Sequence, residues 1–154
     1  MSQLLGEFEC KLDGKGRLAM PAGLLRQLDA ADRACFVVNR GFEQHLVLYP
    51  QREWATISAE IDQLNLYVKK NRDFVRYFYR GATELKLDAS HRLLLPRRLL
   101  DYAAISDEVV LFAYGNRMEI WARHLYDSLL SDEPEDFADL AEEIMGRRPG
   151  DLQD

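Results

Sequence analysis

Asp13 and Arg17 stand four residues apart around Gly14-Lys15-Gly16, and Asp88 and Arg92 stand four residues apart around Ala89-Ser90-His91. An aspartate that opens a tight turn accepts hydrogen bonds from backbone N–H groups two residues on. An arginine four residues later reaches back to that carboxylate with its planar fork of donors. Two uses follow. The pair staples the turn, or the turn holds cations where a phosphate or a base edge meets them. Basic neighbours speak for the second use: Lys11 and Lys15 flank the first pair, and Lys86, His91, Arg97 and Arg98 flank the second. Acid/base catalysis fits poorly, because each Asp carries an Arg expected to keep it ionised.

Both pairs belong to a longer repeat. Residues 6–25 read GEFECKLDGKGRLAMPAGLL and residues 81–100 read GATELKLDASHRLLLPRRLL, identical at ten of twenty positions at a constant offset. The identities include Gly6/Gly81, Lys11/Lys86, Leu12/Leu87, Leu18/Leu93, Pro21/Pro96 and Leu24/Leu99, beside both Asp and both Arg. Looser similarity joins 34–41 to 108–115 and 46–54 to 118–126. A period of about 75 residues is too long for a solenoid unit. A module of about 45 residues lies near the lower limit of independent folding. Two modules that complete each other's core, and other subunits besides, are therefore expected.

The elements that must position the turns follow from the changing period. FECKL (8–12) alternates, a turn covers 13–16, and RLAM (17–20) resumes an extended strand. Pro21 suits the start of a helix over 22–28, and strands over 34–39 and 45–49 follow. The second module repeats this: strand 83–87, turn 88–91, strand 92–95, helix 97–103, strands 108–113 and 117–121. Each module thus reads β-β-α-β-β. Between them Trp54, Ile57, Ile61 and Leu64 keep a helical stripe, and a second helix over 72–80 carries Phe74, Val75 and Phe78. Arg72, Arg76 and Arg80 share a face of that helix. This is either a phosphate-facing ridge or an exposed face pairing with a neighbour's acids. In the C-terminal region, Phe137, Leu140, Ile144 and Met145 mark a short amphipathic helix introduced by Pro134 and stopped near Gly146 and Pro149.

Composition narrows the class. The chain has 154 residues, 47% apolar and 30% charged, which suits one globular unit or two small fused ones. No apolar run approaches the roughly 20 residues that span a bilayer, and MSQLLGEFE lacks a signal peptide's pattern, so a cytoplasmic protein is expected. Cys10 and Cys35 form no C-x-x-C and read as reduced core residues. The net charge of −6 is unevenly spread. Residues 1–126 hold 18 Lys and Arg against 16 Asp and Glu, a balance of +2, while 127–154 hold 2 against 10, a balance of −8. A mildly basic body carries an acidic tail.

The embedding of the motif, K-L-D-x-K-G-R-L-x-x-P in one copy and K-L-D-x-x-x-R-L-x-x-P in the other, with V-L-Y-P-x-x-E-W closing the first module, resembles the MraZ family over roughly 5–126. These are bacterial transcriptional regulators built from two SpoVT-AbrB-type modules. The resemblance implies an α+β fold of duplicated β-β-α-β-β modules that form swapped-hairpin, AbrB-like β-barrels, with connecting helices and a C-terminal helix. It implies modules at 6–53 and 81–125, inter-module helices at 54–80 and an acidic segment at 126–154. It implies a homo-oligomeric ring on double-stranded DNA, at promoter direct repeats upstream of the division and cell-wall gene cluster that includes the protein's own gene, hence a nucleoid-associated protein. The family motif falls on Asp13, Arg17, Asp88 and Arg92, with Lys15 as the basic residue between the first pair; Lys11 joins them as a candidate DNA contact. Ser90-His91 replaces Lys15-Gly16 in the second copy, which predicts a turn of different shape.

An enzyme would need a converging site, and no H-E-x-x-H, P-loop, G-x-S-x-G or dinucleotide fingerprint is present. No catalytic residue, metal, cofactor or small-molecule substrate is expected, and no membrane partner. The rival reading is a protein-interaction module: the same swapped-hairpin unit serves antitoxins that hold a toxin through an acidic C-terminal segment.

Overall fold

Alternation at the N-terminus produces β1 (Leu4–Lys11), in which buried or half-buried side chains alternate with exposed ones. After the turn comes the short β2 (Arg17–Ala19), with Leu18 fully buried. Pro21, at φ −58°, leads into α1 (Ala22–Leu25), where a ring-fixed φ suits helix entry. Next comes α2 (Ala30–Ala34), which the hydrophobic period does not announce. Its signal is Asp29, whose carboxylate accepts the Asp32 N–H at 2.8 Å, as N-capping aspartates do. Then β3 (Phe36–Arg40) and β4 (Leu46–Pro50) follow, with Phe36–Asn39 and all of β4 buried. Such unbroken burial marks central strands covered on both faces.

The connecting segment folds as α3 (Gln51–Ile61) and α4 (Lys69–Tyr79). The second helix starts three residues earlier than its apolar pattern suggests, and Lys69 Nζ pairs with Asp73 at 2.6 Å in that added turn. Trp54 stacks on Phe78 at 5.7 Å, and Tyr79 Oη bonds Ser58 Oγ at 3.0 Å, tying the two helices together. The second module provides β5 (Thr83–Leu85), β6 (Arg92–Leu94), α5 (Arg97–Tyr102), β7 (Glu108–Gly115) and β8 (Arg117–Ala122), followed by α6 (Arg123–Ser131). This computed structural model describes residues 3–131 and 136–146.

Eight strands form two antiparallel arrays among the described residues. One sheet has the order β1-β7-β8-β4-β3-β5, and β2 pairs with β6 in a ribbon of its own. The modules have exchanged strands. β1 of the first module lies along β7 of the second, and β5 of the second lies along β3 of the first. The hairpins β3-β4 and β7-β8 meet where Leu46, Val47 and Leu48 face Ile120, Glu119 and Met118. Neither module closes its sheet with its own first strand, so each completes the other as the duplication suggests.

The repeated leucines explain their own recurrence. Leu18 and Leu93 hold equivalent positions, are both wholly buried, and face each other directly in the β2–β6 ribbon. Leu24 and Leu99 bury the two helices that follow. A fully buried leucine contributes about 1.5–3 kcal/mol relative to an exposed one. Cys10 is half-buried and Cys35 buried; both are free thiols.

The chain divides into two compact units, Met1–Arg123 and His124–Asp154. In the second, α7 (Phe137–Met145) is capped by Asp136, which accepts the Asp139 N–H at 3.2 Å. Gly146 ends it, donating its N–H to the Glu142 carbonyl at 2.8 Å. Pro134 and Pro149, expected to bound that helix, lie outside the described residues.

Candidate nucleic-acid interface

Asp13 organises the first turn with both carboxylate oxygens. Oδ1 accepts the N–H of Lys15 at 2.9 Å and of Arg17 at 3.0 Å, and Oδ2 accepts Arg17 Nε at 2.6 Å. The backbone closes the same loop, with Gly16 N–H on the Asp13 carbonyl at 3.0 Å and Asp13 N–H on the Arg17 carbonyl at 3.1 Å. Foremost the Arg17 backbone N–H, and then its guanidinium and the Lys15 N–H, hold the Asp13 carboxyl down at about 2. A carboxylate that accepts several such donors stays charged.

The second turn is built the same way. Asp88 Oδ1 accepts from Ser90 N–H at 2.8 Å and Arg92 N–H at 2.9 Å, while Oδ2 accepts Arg92 Nε at 2.9 Å. His91 N–H donates to the Asp88 carbonyl at 2.9 Å, as Gly16 does to Asp13. The Arg92 backbone N–H is the main cause that lowers the Asp88 pKa. The difference in shape expected from Ser90-His91 is absent. His91 adopts φ 59° where Gly16 adopts 82°, so the histidine accepts the left-handed conformation that glycine adopts at no steric cost. The hydrogen bonds of Asp88 hold it there.

The ribbon joins the two turns. Leu95 N–H donates to the Gly16 carbonyl at 3.1 Å, and Met20 N–H to the His91 carbonyl at 2.9 Å, so each turn continues the opposite strand's ladder. The strands are three residues each, which separates the turns by roughly 10 Å. Arg92 Nη1 also lies 3.6 Å from Asp13 Oδ2. No sequence signal marks this contact, because it joins residues 79 positions apart.

Each arginine is gripped by its Nε, and its side chain is about a third exposed, 29% for Arg17 and 32% for Arg92. Arg17 spends neither Nη nitrogen on a hydrogen bond with the described residues. Lys15 is exposed within the first turn. Lys11 ends β1 with its side chain 71% exposed, 4.0 Å from Asp107. The structure therefore brings Asp13, Lys15, Arg17, Asp88 and Arg92 to one ribbon, with Lys11 at the strand leading into it.

The arginines of α4 divide their tasks. Arg72 Nη1 caps the preceding loop at the Leu66 and Tyr67 carbonyls (2.9 and 3.2 Å), and Arg76 pairs with Asp73 at 3.9 Å. Arg80 lines a cavity with Arg40 and Arg98.

A duplicated unit whose halves exchange first strands, with twin Asp–Arg turns on the ribbon between them, places the molecule in the swapped-hairpin class of α+β proteins. Comparison with known proteins then specifies it: the profile of the family described as "MraZ protein, putative antitoxin-like" matches residues 3–77 and again 78–148. This chain belongs to the MraZ family. It is similar to the protein named "Transcriptional regulator MraZ" of Flavobacterium psychrophilum, 44% identical over 95% of this chain and 94% of that one. The proteins of the same name in Christiangramia forsetii (43% identical, 95% of each chain) and Cytophaga hutchinsonii (38%, over 91% and 93%) are similar along nearly their whole length. That name describes a non-enzymatic role. No helix among the described residues is long and apolar enough to cross a membrane.

Proposed function

We propose that this transcriptional regulator binds double-stranded DNA sequence-specifically through the turns 13–17 and 88–92. The observation that carries the reading is the pair of turns with the same hydrogen bonds, one at each end of a single short ribbon, each offering an arginine whose Nε is already held. Arg17 and Arg92 face base edges or phosphates, Lys11 and Lys15 add phosphate contacts, and Asp13 and Asp88 orient the arginines. An arginine fixed beforehand loses less freedom when it meets its partner. Modules 6–53 and 81–125 supply one turn each, and helices 54–80 join them.

Single chains offer only two turns, and an assembly multiplies them. The protein acts as a homo-oligomeric ring on promoter direct repeats, since cyclic assembly matches head-to-tail sites better than palindromes. The target is the region upstream of the division and cell-wall cluster that carries its own gene, which places the protein in the cytoplasm at the nucleoid. The test is a salt-graded gel shift with that upstream DNA beside a scrambled duplex. Affinity is expected to fall linearly on log scales, with slope about −0.9 per phosphate neutralised. Equal affinity for both duplexes, or none for either, defeats the proposal. The antitoxin-like reading, favoured by the family's description and the acidic tail, predicts that second outcome.

A further inference from the structure

Three arginines from separate elements line one cavity of about 180 Å³ away from the twin turns: Arg40 at the end of β3, Arg80 following α4 and Arg98 in α5. Gly81, Leu99 and Tyr102 complete its wall, and no carboxylate lines it. We infer that this cavity is a binding site for a phosphate group.

Arg40 is pre-set for the task. Its Nη2 donates to the Tyr77 carbonyl at 2.7 Å, and its guanidinium carbon lies 4.4 Å above the Tyr77 ring and 5.4 Å from the Tyr102 ring centre. Asn39 Oδ1 accepts the Arg40 N–H at 2.8 Å, while Asn39 Nδ2 bonds the Phe78 carbonyl at 2.8 Å. The strand end and the helix end are thereby locked together, and the guanidinium cannot swing free. Arg80 and Arg98 are exposed and make no hydrogen bond or ion pair with the described residues. Arg97, next to Arg98, pairs instead with Asp101 at 3.8 Å.

Like charges gathered in one cavity repel, and an anion with several acceptor oxygens relieves that repulsion. Guanidinium forks match phosphate oxygens in geometry as well as charge. Gly81 keeps the space open: a Cβ there would sit 3.0 Å from both Arg40 Cγ and Leu99 Cδ2. The phosphate belongs either to the DNA backbone or to a free phosphorylated compound. The site itself does not depend on the DNA reading.

The test titrates the full-length protein calorimetrically with inorganic pyrophosphate. Saturable binding is expected, weakened at least tenfold in Arg98→Gln and in Arg80→Gln, with the melting temperature unchanged. Arg26→Gln, an exposed arginine outside the cavity, removes the same charge and should leave binding unchanged. If the two cavity variants also lose DNA affinity and pyrophosphate competes with DNA, the phosphate is the duplex's. If DNA affinity and its salt slope stay constant while pyrophosphate binding falls, the ligand is a free phosphate compound. Absence of saturable pyrophosphate binding, or equal binding by wild type and cavity variants, overturns the site. So does a change confined to particle size in light scattering, which would assign the arginines to acids of a second copy. Failure of the wild type to recognise its upstream DNA would sink the DNA proposal and leave the titration intact.

Discussion

Arg92 Nη1 stands 3.6 Å from Asp13 Oδ2, so the arginine of the second motif touches the aspartate of the first as well as its own. The two motifs therefore form one charged constellation, in which Asp13 sees two guanidinium groups. Losing Asp13 should disturb both turns, whereas losing Asp88 should disturb the second.

Arginine substitution separates stapling from DNA contact. Arg17→Ala and Arg92→Ala should each weaken DNA binding by about 1–3 kcal/mol per site, the scale of a bidentate base contact. Each substitution removes the Nε bond but keeps the backbone N–H of residue 17 or 92 on the same aspartate, so melting temperatures should hardly move. Because Arg92 Nη1 also leans on Asp13 while both Nη nitrogens of Arg17 are unspent, the Arg17 effect should be the larger. Salt-matched affinity together with thermal melting decides this. A destabilised Arg17→Ala variant that binds normally once folded would falsify the DNA role.

The positive φ of His91 gives an asymmetric test of the turns. His91→Gly should be neutral or stabilise by up to about 1 kcal/mol, as strain relief is set against glycine's larger entropy loss. Gly16→Ala should destabilise, since alanine resists φ 82° and its Cβ would meet Leu100 Cδ1 at 3.3 Å. Denaturant midpoints read both changes. Equal effects of the two substitutions would show that the backbone angle does not matter.

Acid should loosen the turns late. The Asp13 carboxyl is depressed to about 2, against an ordinary value of about 3.9. A depressed carboxyl stabilises the fold above the unfolded value, and that stability is lost as pH falls from about 4 towards 2. Asp88 is shifted in the same direction. Asp13→Asn should therefore lower the melting temperature near pH 7 to 8 and flatten its fall across that window, so that variant and wild type converge in acid. A wild-type slope retained in the variant would assign the acid sensitivity elsewhere.

Leu18 and Leu93 face each other wholly buried at the symmetric centre of the ribbon. Truncating either to alanine should cost about 2–5 kcal/mol. Because they touch across one strand pair, the double variant should depart from the sum of the singles. Strict additivity in chemical denaturation would mean that each packs against its own module.

Much of this molecule was legible from local pattern. The Asp-to-Arg spacing and the turn residues specify hydrogen bonds within five residues, and they form as the residue types demand. Pro21 and Pro96 mark helix starts because their fixed φ acts locally. The recurring leucines mark the core because burial tracks side-chain chemistry. Helix α2 was missed because its cue is a single capping aspartate rather than a repeating apolar face.

What tertiary structure alone decided is which partners meet. β1 alternates whether it lies along its own hairpin or along β7, since every strand offers the same backbone donors and acceptors; duplication implied that the modules complete each other, but which strands cross over was implied only by the resemblance to a family. The contact from Arg92 to Asp13 depends on β2 and β6 pairing across the repeat. The cavity of Arg40, Arg80 and Arg98 depends on the end of α4 docking against β3. Charge and hydrophobicity are written residue by residue, but convergence of distant residues is a property of the folded chain.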